Sequence, residues 1–448
     1  MNHISRPKIA VIGAGWAGLS AAVTLAEHAD ISLFEAGRQA GGRARTLTGD
    51  QHGFSFLDNG QHILIGAYRS TLALLQKIGV RETDAFLRQP LQWHIADGLQ
   101  FQTASPLPKP WHILSGILRA KNTPLRLKLK LLVDMHALQR RRSDQADTSV
   151  AHWLAQRRTP RLLISQFWQP LVLGALNTPL HTASLRLLAR VLQDSINAAK
   201  SDSDYLLPKQ DLSSIAVRPS LNYLKRYGCC IHLATRVAKL EPQANGTVGV
   251  DGRIFDAVIL ATAPYHAAAL LPSDTPPEIQ TAYAQTAYHA ITTVYLRYPQ
   301  AVKLPAAMTG LTDGTAHWLI ERGALGLPPN EIAAVISVSE QYPFSRQEWA
   351  QKVHADIQRL FPHIGEPQAV QVITEKRATA AASVHRPNYD TAWLKHRNIY
   401  PAGDYLHPYY PATLEAAVQS GMRTAELCLN DLYNTMPSEN ERSEFLRS

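Results

Sequence analysis

The sequence predicts an α/β fold: a parallel sheet presenting a glycine turn to a ligand, joined to a second domain of mixed sheet and helices. Three observations carry that expectation. A short apolar run, Ile9–Ile12, passes straight into Gly13-Ala14-Gly15-Trp16-Ala17-Gly18 and a helical stretch. Apolar runs that extend the same sheet return late, at Asp256–Pro264 and Ile399–Asp404. The 448 residues exceed what one simple core holds, so two closely joined domains are expected.

Ile9–Ile12 is continuously apolar, as a buried parallel strand must be. Gly13, Gly15 and Gly18 form G-x-G-x-x-G. Gly13 permits the tight turn, Gly15 lets the backbone approach a pyrophosphate, and Gly18 lets the next helix lie close to the strand. That helix runs from Trp16 and Ala17 to His28, and its N-terminus offers free N–H groups and a positive dipole end to phosphate. Ile31–Phe34 is a second strand, closed by Glu35 where a carboxylate can accept from a ribose hydroxyl. An acid at this place favours an unphosphorylated ribose, hence FAD or NAD rather than NADP. A glycine turn without ligand is the competing reading of such a motif. Strand, helix and acid in register outweigh it and define a Rossmann-type unit.

Apolar residues make up 45% and charged residues 18%, the balance of a well-buried globular enzyme. The net charge of +9 is compatible with nucleic acid, an anionic membrane surface or plain solubility. No nucleic-acid-binding module is visible, so nucleic acid is not expected as a partner. The three cysteines, Cys229, Cys230 and Cys428, form no C-x-x-C, which suits a reducing cytoplasm rather than a disulfide framework. The eighteen histidines show no H-E-x-x-H, and no metal is expected. No signal peptide is expected, and no apolar run reaches the roughly 18–20 residues that span a bilayer.

After Glu35 the chain reads Ala36-Gly37-Arg38-Gln39-Ala40-Gly41-Gly42-Arg43-Ala44-Arg45. The glycine pair turns the chain back over the dinucleotide, where Arg43 or Arg45 can meet a phosphate or flavin oxygen. Asp58-Asn59-Gly60-Gln61-His62 follows as a turn leading toward the ligand pocket. Tyr68–Gly79 reads as an amphipathic helix with a glycine stop.

Trp111–Arg142 is basic, leucine-rich and read as helical. It serves either as a solvated outer helix or as a surface where Lys and Arg meet anionic lipid while leucines dip inward. Further helices are read at Ser149–Arg157, Arg161–Leu173, Thr182–Ile196, Val217–Tyr227 and Gln347–Leu360. Strands are read at Cys230–Leu233, Arg236–Leu240, Ala290–Tyr298 and Ile332–Val338, with a hairpin joining Gly249-Val250 to Arg253–Phe255. No internal repeat is visible.

Ile399–Gly403 delivers Asp404, and a helix starts near Ala412, with Thr413, Leu414 and Glu415 in its first turn. Its N-terminus can face the N1/O2 edge of a flavin, stabilising negative charge there. With the N-terminal fingerprint, this pattern points to FAD. No cysteine lies near Asp58–Gly66 or Asp404, and a link through His62 or His407 is not expected, so the FAD is expected to be held non-covalently.

G-x-G-x-x-G, an acid, G-G-R and a D-x-G turn stand here in order, and the chain resembles the FAD-dependent amine oxidase and phytoene desaturase superfamily (GR2-like flavoproteins). The resemblance implies a discontinuous FAD-binding domain at 1–66, 207–270 and 390–433. It implies a substrate domain at 67–206 and 271–389, and the tail 434–448 is expected to be flexible. Cofactor contacts are implied for Gly13, Gly15, Trp16, Ala17, Gly18, Glu35, Gly42, Arg43, Asn59, Gly60, Gln61, Val237, Ala261, Gly403, Asp404, Thr413 and Leu414. By spacing alone, Val237 and Ala261–Ala263 serve equally well as core.

Within the superfamily, Leu57–Tyr68, Leu176-Asn177-Thr178-Pro179 and Pro411–Val418 resemble the hydroxysqualene dehydroxylases over Lys8–Leu427. Two positions depart from that pattern: a glycine is usual at Cys229 and an aromatic at Ile320. The implied reaction is reductive loss of an allylic hydroxyl from hydroxysqualene, giving squalene. Hydride passes from flavin N5 to the allylic cation left when the protonated hydroxyl departs. A general acid is then required. The candidates are His62 and, near the last helix, Tyr410 and Glu415, with a merely turn-ordering role as the competing reading of His62.

The implied partners are a lipophilic polyprenoid and the membrane surface, met peripherally from the cytoplasmic side. An electron donor is also implied but not identified, since no second dinucleotide fingerprint is present. The rival activities are a polyprenoid or carotenoid desaturase and an amine oxidase with Tyr405, Tyr409 and Tyr410 as an aromatic cage.

Overall fold

The structure is a computed structural model and describes residues 6–103, 107–142, 144–197 and 199–434. In chain order, β1 (Lys8–Ile12) turns at Gly13 into α1 (Trp16–Leu25), which ends three residues before the expected His28, and β2 (Asp30–Phe34) returns beside β1. α2 (Arg69–Lys77) sends Leu74 and Leu75 into the core that β1 and α1 share. Ile78, Ala85 and Phe86 join the same core, although they follow residue 66.

The basic stretch expected as one helical run is two helices, α3 (Trp111–Leu118) and α4 (Leu125–Gln139). Asn122 takes φ +58° between them, and Pro124, which has no N–H to donate, starts the second. A helix from Arg161 to Leu176 contains a π turn at Ile164–Trp168 just before Pro170, where the proline ring breaks the regular ladder. α5 (Leu185–Asn197) is strongly amphipathic and begins three residues after the expected Thr182.

β3 (Cys230–His232) joins the first sheet. Arg236–Lys239, expected as strand, is irregular, and the strand lies instead at Leu240–Pro242, paired with Val248–Val250. Gly228 takes the left-handed backbone, at φ +74°, and position 229 does not, so a cysteine there is accommodated. β4 (Ala257–Leu260) is wholly buried. Then come β5 (Tyr288–Arg297), β6 (Met308–Gly310), β7 (Trp318–Glu321) and β8 (Glu331–Ser337). The helix Arg346–Leu360 is opened by a capping box between Ser345 and Glu348. β9 (Ala369–Ala380), β10 (Ile399–Pro401) and α6 (Leu414–Asn434) complete the order. The tail expected to be flexible lies outside the described residues beyond Asn434.

The first sheet is five-stranded and parallel throughout, in the order β10-β4-β1-β2-β3. The second, in the order β6-β7-β8-β5-β9, has only antiparallel strand pairs, a narrower arrangement than the mixed sheet expected. α1 is clamped between the sheet and α6. A Cβ on Gly18 would lie 1.8 Å from the Gly13 carbonyl oxygen, and one on Gly421 of α6 would lie 2.1 Å from that of Ala17. Among the described residues no helix is long and apolar enough to cross a membrane.

Candidate functional site

The carboxyl ends of the parallel strands open into one continuous cavity of about 840 Å³ that runs on into the helical half of the molecule. Its first part is a cradle of backbone. Gly13 has φ +102°, and a Cβ there would stand 2.6 Å from the Ala261 carbonyl oxygen. Gly15 and Gly42 face each other so closely that a Cβ on Gly42 would lie 3.0 Å from Gly15 Cα. Gly15 caps α1 with no side-chain acceptor on the first-turn N–H groups, which leaves them to an anion in the cavity. The Trp16 indole N–H donates to the Ala44 carbonyl at 2.9 Å and ties the glycine-pair loop over this turn.

Glu35 lines the cavity at the end of β2. Its Oε2 accepts from Ala14 N at 2.8 Å and its Oε1 from Gly37 N at 2.7 Å, which fixes the carboxylate where a ribose hydroxyl can donate to it. A floor without side chains, an uncapped helix N-terminus and an oriented acid fit a dinucleotide such as FAD.

Ala17, Asn59, Gly60 and Gln61 also line the cavity. So do Val237, Ala261, Gly403, Thr413 and Leu414. Gly18 does not; its place is the close approach of α1 to the strand. Arg43, expected on a phosphate or flavin oxygen, lines the cavity and is also tied to Asp404. Its guanidinium grips both carboxylate oxygens of Asp404 at 2.7 and 2.8 Å and donates to the Ala378 carbonyl at 2.9 Å. Arg45 donates to the Gly42 carbonyl. The Asn59 amide donates to the Arg43 carbonyl and to Glu375 on β9, joining the D-N-G turn to the second sheet.

The second part of the cavity is apolar, lined by Trp93, Phe101, Ile113, Met135, Phe167 and Trp318. Trp93 is the hub, in ring contact with Phe101, Phe167 and Trp318. Ile320, where the resemblance leads to an aromatic being expected, lines this part.

The three catalytic candidates all line the cavity but are not equivalent. Both oxygens of Glu415 are taken: Oε2 by Thr71 N and Oγ1, Oε1 by Ser70 N and Gln419 Nε2. Glu415 thereby accepts from the first N–H groups of α2, the arrangement of a helix-capping carboxylate.

His62 Nδ1 sits 2.9 Å from the Gly60 carbonyl. A carbonyl only accepts, so Nδ1 carries the hydrogen and Nε2 of the neutral ring is bare. Burial, with Arg43 nearby, holds the His62 pKa below its ordinary value, so the neutral form prevails at pH 7 and has no proton to give. His62→Gln is expected to keep its flavin and turn over within about threefold of wild type at pH 7.5; a loss of a hundredfold would restore the catalytic reading.

Tyr410 differs. Burial and then Asp194 push its pKa up to about 12, so it keeps its proton at neutral pH. Its hydroxyl donates to Asp194 Oδ2. Its ring stacks on His407 at 4.5 Å, with 11° between the planes. His407 Nδ1 accepts from Tyr410 N, and its Nε2 donates to Gln419, which in turn donates to Glu415. Tyr410 is thereby fixed through a chain reaching α2. The expected aromatic cage does not form: Tyr405 packs on Tyr283 and Tyr389, and Tyr409 is half exposed. The reading from sequence missed Asp194, whose only signal was the amphipathic helix that carries it.

Residues 16–429 match the flavin containing amine oxidoreductase family. The chain is 27% identical to the hydroxysqualene dehydroxylase of Zymomonas mobilis, over 94% of this chain and 98% of that protein. It is 29% identical to the hydroxysqualene dehydroxylase of Rhodopseudomonas palustris, over 94% and 97%. Among solved structures, the cyclohexylamine oxidase of Brevibacterium oxydans superposes with a TM-score of 0.68 at 15% identity, covering 95% of this chain and 99% of that one. That likeness concerns the fold alone.

Proposed function

The chain belongs to the flavin containing amine oxidoreductase family, and from that premise we propose that it is an FAD-dependent dehydroxylase that converts hydroxysqualene to squalene. The observation that carries the reading is the continuous cavity of about 840 Å³, in which a dinucleotide cradle opens into a chamber walled by Trp93, Phe101, Ile113, Met135, Phe167 and Trp318, side chains suited to a hydrocarbon chain. Similarity over 94% of the chain to two proteins named for this reaction supports it.

FAD is held non-covalently by the Gly13–Gly18 turn, Glu35, the Gly42 loop and the Gly403 and Thr413–Leu414 segments. Bound and reduced, it supplies a hydride. The residues of the chain do the rest. The parallel-sheet half holds the dinucleotide, and the helical half with the second sheet holds the substrate. The chamber's aromatic and aliphatic walls exclude water that would capture an allylic cation. The Tyr410 hydroxyl turns from Asp194 to the substrate and gives its proton to the leaving hydroxyl, the C–O bond breaks with its electron pair on oxygen, and water departs; solvent then reprotonates Tyr410, which returns to Asp194. Tyr410→Phe is expected to lower kcat by on the order of 10²–10³ with flavin content unchanged. Electrons reach FAD from an external donor.

The substrate dissolves in lipid, and the outer face of α3 and α4 suits a membrane surface. Trp111, Leu118, Leu125, Leu129 and Val133 are each between 43% and 61% exposed, and Arg119, Lys121 and Arg126 are exposed beside them. The inner face of the same helices sends Ile113 and Met135 to the cavity wall. Pelleting with anionic vesicles at low salt, released at high salt and weakened about tenfold by Leu125→Asp with Leu129→Asp, is the expected result. No pelleting at either salt would remove the membrane reading.

The deciding experiment is anaerobic. The flavin is reduced with dithionite, hydroxysqualene is added, and the flavin spectrum and extracted lipid are followed. Re-oxidation with stoichiometric squalene is expected. Flavin that stays reduced with hydroxysqualene untouched would return the desaturase reading.

A further inference from the structure

Asp194 has no part in the reading above except as the acceptor that holds Tyr410. Yet it stands on the wall of the same cavity, beside Val191 and Leu192 of its own helix. Arg190, one turn earlier on α5, donates Nε to Asp194 Oδ2 at 2.7 Å. The Tyr410 hydroxyl donates to that same oxygen. No described residue donates to Oδ1. One carboxylate oxygen is thus tied from behind by two donors, and the other is left as an open acceptor.

A carboxylate oxygen on a cavity wall is costly once a hydrocarbon displaces its water, unless something donates to it. Water can do so before substrate enters. A hydrocarbon cannot, and an alcohol can. We propose that Asp194 Oδ1 accepts a hydrogen bond from the substrate hydroxyl and so makes the cavity select the alcohol over its hydrocarbon product. This rests on the polyprenoid reading above and adds what that reading lacks, a reason for the product to leave. It also sets the hydroxyl beside the phenol that protonates it, because Tyr410 and Oδ1 belong to one hydrogen-bonded cluster.

The test uses full-length, FAD-loaded, oxidised protein in detergent micelles, so that no turnover occurs. Hydroxysqualene, its methyl ether and squalene are titrated, and dissociation constants are read from the flavin spectrum. The ether keeps the oxygen but has no hydrogen to donate. Wild type is expected to bind the alcohol on the order of 10²-fold more tightly than either the ether or squalene, the upper end of what a desolvated acceptor left without a donor costs.

In Asp194→Asn, Arg190 and Tyr410 both donate, so they hold the amide oxygen and turn the NH₂ toward the chamber. The acceptor becomes a donor, and the preference for alcohol over ether is expected to fall to about twofold with flavin content unchanged. Asp194→Leu, a second variant that removes the group altogether, is expected to bind alcohol and squalene within about threefold of each other. Equal binding of the three by wild type, or an unaltered preference in Asp194→Asn, would overturn the proposal while leaving the polyprenoid reading intact. Binding of none of the three would remove both.

Discussion

Gly18→Val is expected to yield a protein with less than about a tenth of the wild-type flavin content and about 3 kcal/mol or more of lost stability. The Cβ it adds would lie 1.8 Å from the Gly13 carbonyl oxygen, a backbone atom that cannot swing away. The helix cannot retreat either. On its other side Gly421 of α6 lies so close that even a Cβ there would stand 2.1 Å from the Ala17 carbonyl. Any shift of α1 that relieves the first contact tightens the second. The first-turn N–H groups that face the dinucleotide then lose their aim. Visible flavin absorbance per protein and thermal unfolding check this. Gly365→Ala, where a Cβ would meet nothing within 4 Å, serves as the neutral control.

Arg322→Met is expected to cost about 3–5 kcal/mol, because it strands a buried carboxylate. Arg322 and Glu331 are both fully buried, with Nε and Oε2 3.0 Å apart. That approach is an ion contact rather than an aligned hydrogen bond, since Nε makes none. Nη2 donates to Ser55 Oγ and the Phe56 carbonyl, each at 2.9 Å, and Glu331 accepts from Ser55 N and Oγ. The guanidinium also lies over the Phe56 ring, 4.4 Å from its centre.

The pair therefore pins Ser55-Phe56, the approach to the Asp58–His62 turn, onto the second sheet. Loss of flavin should follow loss of stability and not precede it. The double variant Arg322→Met with Glu331→Leu should recover most of the stability, because it removes both charges together. Chemical unfolding of the single and double variants measures the difference. Equal stability of Arg322→Met and wild type would show that the pair contributes nothing.

The parts of the site that are legible before folding are short-range. Gly13, Gly15, Gly18 and Glu35 fall within one strand–helix–strand unit, where sterics and a helix N-terminus act over a few residues. The turn at Asn59-Gly60-Gln61 and the start of α6 are local in the same way. Expectation and structure part where one residue's role depends on another far along the chain. Arg43 is expected on a phosphate or flavin oxygen, and its bond to Asp404, 361 positions away, has no signal in the sequence. Glu415 is a candidate acid because it stands beside the flavin-facing turn, but it is spent on an α2 N-terminus 345 positions earlier. Asp194 carries no signal, since a 3.6-residue period tells which face of α5 is apolar and not what that face meets.

What the sequence by itself determined is the parallel dinucleotide unit, the choice of FAD and the family likeness, because each is written in contiguous residues whose backbone needs are local. What only the tertiary structure decided is which polar groups remain open once the chain is closed. The Tyr410 hydroxyl donates to Asp194, His62 Nδ1 is spent on the Gly60 carbonyl, and one oxygen of Asp194 receives no bond from a described residue. Hydrogen bonds from distant segments settle each of these, and spacing along a chain does not encode which segments will meet.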